Sequence, residues 1–297
     1  LLAGSAGVGH LAKPSWGEDA PAPIQATPLA DNMVMFSGAG SNVVALGGAD
    51  GVLLINGGAP ERSAALLDLV AARFKGPVKV LINTDWHLDA TGSNDRLGKA
   101  GAKIIAHENT RLWMTAEVHV QWQQRTYLPR PKEARPTETF YTTASMMFGS
   151  EEVRYGHLGQ AHTDGDIYVY FPTQNVLVTG DVVAVGSYPV LDYSTGGWIG
   201  GLADGTRKLL DLTNASTRVV PGIGALQTRA DLQQQSEMVS TMRTRFIELL
   251  RKGMSANQML NQRPTKEFDA KWGNPDLFIY NAYPGLWNHV REVGGIV

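Results

Sequence analysis

Three short segments of the 297-residue chain carry side chains from which a reactive centre could be built. The first runs Asn83-Thr84-Asp85-Trp86-His87-Leu88-Asp89-Ala90-Thr91-Gly92 and follows an apolar stretch. Asp85, His87 and Asp89 alternate along it, so in an extended loop their side chains turn to one side. The second, Gly159-Gln160-Ala161-His162-Thr163-Asp164-Gly165-Asp166, is a polar turn between two strand-like runs. The third, Val176-Leu177-Val178-Thr179-Gly180-Asp181, is an apolar strand that ends in a carboxylate. Imidazole and carboxylate donors delivered from separate strand ends suit a Zn, Mn or Fe ion, because the scaffold fixes each donor while the loops leave a coordination position open. Singly, each segment says little: an Asp at a strand end is commonly a turn or cap residue, and an isolated His is commonly structural.

The elements that must position these segments follow from hydrophobic spacing. Short β-type runs at 33–37, 42–46 and 51–55 are separated by Gly-rich turns. Leu66, Leu67, Val70 and Phe74 recur at helical spacing within 62–74. A buried-type strand is expected at 78–83, then a loop, a helix near 95–100 and a strand at 103–106. Residues 108–150 are irregular and aromatic-rich, and read as a helix and a long loop that covers something. Strands resume at 152–158, 167–171 and 176–179, followed by a helix at 200–212 and a short strand at 218–220. From 229 to about 290 the chain reads as mostly helical, with Met238, Met242, Phe246 and Leu250 on one face. This alternation argues for α/β layers.

Composition narrows the class. A hydrophobic fraction of 43% with 18% charged residues belongs to a folded globular protein. The formal charge of -2 offers no basic field for a phosphate backbone, so no nucleic-acid partner is expected. No apolar run approaches the ~20 residues of a membrane helix. The chain has no cysteine, which removes thiolate ligands and a thiol nucleophile. The small apolar stretch at 1–9, followed by Pro- and Ala-rich sequence, reads either as a floppy arm or as the remnant of a secretory signal, which leans toward a periplasmic or exported protein.

The stretch TDWHLDATGSN resembles the HxHxDH metal motif of the metallo-β-lactamase superfamily. AHTDGD resembles that family's third-histidine segment, VLVTGD its bridging-aspartate strand, and PGIG at residues 221–224 stands where the family commonly has PGHG. The resemblance, over about residues 30–230, implies a four-layer αββα sandwich with a helical C-terminal extension. With residues 1–28 read as a flexible arm or the remnant of a signal peptide, the main domain is expected over 29–228, with the extension over 229–297 packed on it. Residue by residue, the resemblance implies a first metal site of Asp85, His87 and His162 with Asp181 nearby. The departures matter equally. Asp85 replaces the first histidine, Ala90 and Ile223 stand at lost ligand positions, and Asn56 stands where an aspartate usually closes its strand. One divalent ion, Zn or else Mn or Fe, is therefore expected in place of two, or none at all.

The leading expectation is a mononuclear hydrolase of an ester, lactone, lactam or thioester, with Asp85 and Asp89 as its catalytic carboxylates and a small molecule as its partner. Asp89 would orient the attacking water or accept its proton. Two other readings stay open: a metal-free pseudoenzyme that binds a small ligand, and a repurposed acid/base lyase, cyclase or isomerase. Retained carboxylates favour a cation, since three of them in one cleft repel. Trp86, Tyr188 and Tyr193 are candidates for an apolar pocket. Asp164 and Asp166 read as loop-closing hydrogen-bond partners, and His107, His119, His157 and His289 as structural or surface residues.

Overall fold

The structure is a computed structural model that describes residues 22–291. The signal-like stretch and residues 1–21 of the expected arm lie outside the described residues. Fourteen strands are described: β1 Gln25–Ala30, β2 Met33–Ser37, β3 Val43–Gly48, β4 Gly51–Ile55, β5 Val78–Ile82, β6 Lys103–His107, β7 Val118–Val120, β8 Arg125–Tyr127, β9 Glu138–Phe140, β10 Thr143–Phe148, β11 Glu151–His157, β12 Ile167–Phe171, β13 Val176–Gly180 and β14 Arg218–Pro221. The helices are α1 Ser63–Arg73, α2 Leu88–Thr91, α3 Asn94–Lys99, α4 Glu108–Trp113, α5 Ile199–Asp211, α6 Arg229–Arg251, α7 Ala256–Gln262, α8 Asp269–Trp272 and α9 Asp276–Asn288.

Two sheets, ordered β1-β2-β3-β4-β5-β6-β9 and β10-β11-β12-β13-β14, lie face to face. Leu53, Ile55 and Ile82 of the first meet Ile167, Val169, Phe171 and Val178 of the second in a buried core. The opposite face of the first sheet, with Leu54 and Leu81, is covered by Leu66 and Val70 of α1 and Leu97 of α3. The outer face of the second, with Tyr168 and Leu177, is covered by α5, α6 and α9. These are the four layers of an αββα sandwich, and the helices from α6 onward thicken its last layer. Burial on both faces explains why β4 and β13 read as unbroken apolar runs and not as alternating ones. Helix α6 starts where Thr228 and Asp231 form a reciprocal capping box. Among the described residues, no helix is long and apolar enough to cross a membrane.

The sequence expectations need two corrections. Residues 25–28, placed in the flexible arm, belong to β1, which pairs antiparallel with β2 and is bulged between Pro28 and Ala30. Local propensity gives little sign of it; the strand exists because β2 offers an edge, where a proline is tolerated. The region 108–150 is more ordered than a helix and loop. After α4 it forms the β7–β8 ribbon, adds β9 to the first sheet and starts the second with β10. Its aromatics account for the difference: Trp86, Met114, Val118 and Val120 make a separate small core beneath the ribbon, flanked by Trp113, Trp122 and Tyr127.

Candidate functional site

The loops after β4, β5, β13 and β14 and the β11–β12 connection meet at one end of the sandwich. Asn56 closes β4 in the left-handed region at φ 66, which asparagine tolerates better than most residues. Its buried Oδ1 accepts hydrogen bonds from the Thr84 backbone N–H at 2.9 Å and the Thr84 hydroxyl at 3.1 Å. This ties the first chemistry-bearing loop to the neighbouring strand end. Thr84 in turn bonds to the second sheet, its carbonyl accepting from the Ile167 N–H at 2.9 Å. Asp166 fixes the His162 loop by accepting from the His162 and Thr163 backbone N–H groups. Gly222 has a spatial reason to be glycine, since a Cβ there would overlap Asp181 Oδ1. Asn42 holds that glycine's turn by donating to the Pro221 and Gly224 carbonyls at 3.0 and 2.9 Å.

At the centre lies a buried pair of imidazoles. Asp85 Oδ1 accepts from the His87 backbone N–H at 2.8 Å and lies 3.2 Å from His87 Nδ1. His87 Nε2 lies 3.1 Å from Asp192 Oδ2, and His162 Nε2 is 3.3 Å from His87 Nδ1. His162 Nδ1 points at the Val190 carbonyl at 2.9 Å. A carbonyl only accepts, so this contact places the His162 proton on Nδ1 and leaves Nε2 a lone pair directed at His87. Asp192 likewise holds a proton on His87 Nε2. The two inward nitrogens therefore face each other, and a proton or another cation must lie between them to avoid lone-pair repulsion. Asp181 Oδ2 stands 3.7 Å from His162 Nε2.

The electrostatics agree. Burial would lower the His87 imidazole, but its hydrogen bonds and ion pairing with Asp192 and Asp85 outweigh that and hold it well above its ordinary value. Burial would raise Asp85 and Asp192, yet the His87 contacts bring both below the usual carboxylate range. Asp89 and Asp181 have no such partner. Burial and the Asp85 charge raise Asp89, while burial, Asp89 and Asp85 push Asp181 well upward. Asp166 is pushed to about 7, chiefly by burial.

The residues expected from sequence do not all serve one purpose. Asp85, His87, His162 and Asp181 come together, and Asp89 lies near enough for the Asp85 charge to raise it. Among the described residues, no group of three or more His, Cys, Asp or Glu side chains is disposed to hold a metal ion. Asp85 Oδ1 faces the His87 backbone N–H and ring, and its Oδ2 accepts from the Thr84 hydroxyl at 3.1 Å. Ala90 is buried and supplies a carbonyl to the Gly57 N–H, while Ile223 is 58% exposed. Trp86 stacks on His87 at 4.4 Å and donates to the Thr195 hydroxyl at 3.2 Å. Tyr193, half-buried, follows Asp192 directly. Tyr188 lies in the packed core, stacked on Phe278 at 5.2 Å and donating to Asp269 at 2.9 Å. Asp192 was missed. Locally it caps the following turn by accepting from the Ser194 N–H.

A two-sheet αββα sandwich with imidazoles and carboxylates gathered at its loop end defines a metallo-hydrolase type of scaffold. Residues 37–235 match the model of the metallo-beta-lactamase superfamily, and the chain belongs to that family. It is 26% identical over 158 residues to metallo-beta-lactamase IND-1 of Chryseobacterium indologenes, covering 53% of this chain and 60% of that protein. It is 25% identical over 190 residues to metallo-beta-lactamase type 2 of Bacillus cereus, covering 64% of this chain and 69% of that one. The fold is similar to that of a metallo-beta-lactamase from Pontibacter korlensis, with TM-score 0.61 and 18% identity over 73% of this chain and 99% of the other.

Proposed function

We propose that this protein is a hydrolase that works with a single divalent ion held by His87, His162 and Asp85, with Asp181 at the edge of the set. The observation that carries this reading is the pair of inward nitrogens 3.3 Å apart, each with its outer nitrogen fastened to an oxygen acceptor. Fixing the outer N–H is how proteins orient histidine ligands. The donors suit one ion and not two, because Ala90 and Ile223 bring no donor to the second position. The substrate class is an ester, lactone, lactam or thioester.

The ion's contribution would be to polarise the substrate carbonyl and activate a water. The chain's own residues supply the rest. Asp192 and the Val190 carbonyl hold the two rings in the required tautomers. Asp89, raised by burial and by Asp85, is poised to take a proton from the attacking water and return it to the leaving group. Asp181, also raised, keeps 24% of its side chain open to the cleft and can share that proton.

A second reading has one observation of its own in favour: the His87 ring lies between Asp85 Oδ1 at 3.2 Å and Asp192 Oδ2 at 3.1 Å and is held well above its ordinary value. In it the cation between the rings is a proton, and the His87–Asp85–Asp192 set does acid/base chemistry. Metal content per chain, measured on protein dialysed against Zn, Mn and Fe(II), separates the two. About one ion, lost in the His87→Ala/His162→Ala double variant together with esterase activity, supports the hydrolase. No ion retained under any of these conditions defeats it.

A further inference from the structure

Helix α4 grips the loop that carries His162, and it does so with three side chains. Asn109 Nδ2 donates to the Asp164 carbonyl at 2.9 Å, the Thr110 hydroxyl to the Gly165 carbonyl at 3.1 Å, and Trp113 Nε1 to Asp164 Oδ1 at 2.6 Å. The approach is close enough to require glycine at 165, where a Cβ would stand 2.5 Å from Thr110 Oγ1 and 2.9 Å from the Thr110 backbone nitrogen. A six-residue helix has little stability of its own and depends on how its ends are satisfied. Here the cap is an imidazole. His107, buried, precedes the helix, and its Nδ1 accepts from the Asn109 N–H at 3.2 Å. His107 Nε2 lies 3.1 Å from the Tyr141 carbonyl, which only accepts, so the proton sits on Nε2 and Nδ1 keeps its lone pair. Only a neutral ring can cap in this way. An imidazolium carries N–H on both nitrogens, and its Nδ1–H would face the Asn109 N–H, donor against donor. His157 of β11 stacks on the His107 ring at 3.8 Å, and its own Nε2 donates to the Asp164 carbonyl at 2.9 Å.

We propose that His107 is a proton-gated positioning residue for the His162 loop: neutral, it caps α4 and so keeps residues 164 and 165 in place; protonated, it uncaps the helix and releases them. The charged and titratable groups around the stack set the direction. Burial is the chief influence on His107 and lowers it, against the Tyr141 carbonyl and Glu108, which raise it. Glu108 itself is paired with Arg111 of the same helix. His157 is lowered too, by burial first and then by His107 and by Lys208 of α5, with the Asp164 carbonyl and charge opposing. Asp164 is raised by burial. A His107 value below the ordinary 6.5 means that the cap is intact at neutral pH and is lost as pH falls through that lower value. The device works the same way whether the cation at His87 and His162 is a metal ion or a proton, and it does not depend on the hydrolase reading.

Hydrogen exchange of the full chain with chelator present, read by mass spectrometry near pH 7.5 and near pH 5 and corrected for the intrinsic rate, tests this. Peptides covering 108–114 and 159–166 should exchange roughly fivefold faster at the lower pH, the scale of one lost cap, while β4 stays unchanged. His107→Asn and His107→Asp, which supply cap acceptors that stay unprotonated over this range, should keep the high-pH protection at both values. His107→Ala should show the faster exchange at both. Wild-type protection that does not change with pH, or that changes equally in β4, overturns the proposal. So does an acid response that persists in His107→Asn and His107→Asp, since the proton would then act at His157 or Asp164. Fast exchange at both pH values in both of those variants overturns it as well, because the Nδ1 acceptor would not be what holds the loop.

Discussion

Replacing Asp192 by Asn in chelator-treated protein should destabilise the fold by about 2–3 kcal/mol near pH 6. Asp192 is fully buried, and three donors converge on its two oxygens. His87 Nε2 at 3.1 Å and the Thr195 hydroxyl at 2.8 Å meet Oδ2, and the Ser194 N–H at 3.2 Å meets Oδ1. An amide has one oxygen, so its NH₂ must face at least one donor, and the charge opposite His87 is lost. Breaking a buried pair costs ~3–5 kcal/mol, and a loss at or just under the lower figure is expected here because His87 can release its proton. The pH dependence has a fixed sign. His87 is raised, so its contribution is complete below the ordinary imidazole value of 6.5 and is lost as pH rises through the higher folded-state value. Asp192 is lowered, so its contribution holds above the ordinary value of 3.8 and is lost only in acid. The gap between wild type and variant should thus be widest near pH 6 and narrow toward alkaline pH. Urea unfolding across that range measures it. A gap below about 0.5 kcal/mol at pH 6, or one that does not change with pH, would refute the imidazolium clamp.

Asn56 should respond differently to Ala and to Gly. Asn56→Ala loses both Thr84 hydrogen bonds and places a Cβ-bearing residue without a local polar group at φ 66, for an expected ~2–3 kcal/mol in urea unfolding. Asn56→Gly loses the same bonds but accepts the backbone, so it should be less damaging by about 1 kcal/mol; equal losses would remove the conformational part of the explanation. The triple substitution Asp85→His, Ala90→His and Ile223→His restores the imidazoles that the family resemblance implies at those positions. Elemental analysis should then give about two ions per chain in place of one, and an unchanged stoichiometry would count against the inferred ligand positions.

Much of the fold was legible because burial on both faces leaves plain apolar runs: β4, β5 and β13 could be read directly, and α6 through the spacing of Met238, Met242, Phe246 and Leu250. What escaped was structure that exists by pairing. β1 is an edge strand with a proline, and β7 to β9 are three-residue segments held by neighbours and by an aromatic cluster, so no local pattern announces them. The site shows the same division. Asp85, His87, His162 and Asp181 were legible because each ends or follows a recognisable strand. Asp192 was not, because its role comes from a loop of the opposite sheet that crosses back onto His87, 105 residues away in the chain.

Asp85, Asp89, Asp181 and Asp192 bring four acidic groups to a region where His87 and His162 are the facing bases. The cluster divides this load unequally. Asp85 and Asp192, in direct contact with His87, are driven toward ionisation, while Asp89 and Asp181, without such a contact, are driven toward holding protons. A cation between the two rings would shift that balance, since added positive charge lowers the carboxyl pKa values around it. Ion binding and proton release at this centre are therefore linked, and affinity for the ion should rise with pH. Apolar Ala90 and Ile223 bring neither a donor nor another buried charge here, so on the proposed reading a single cation, proton or metal, is what the facing rings would hold.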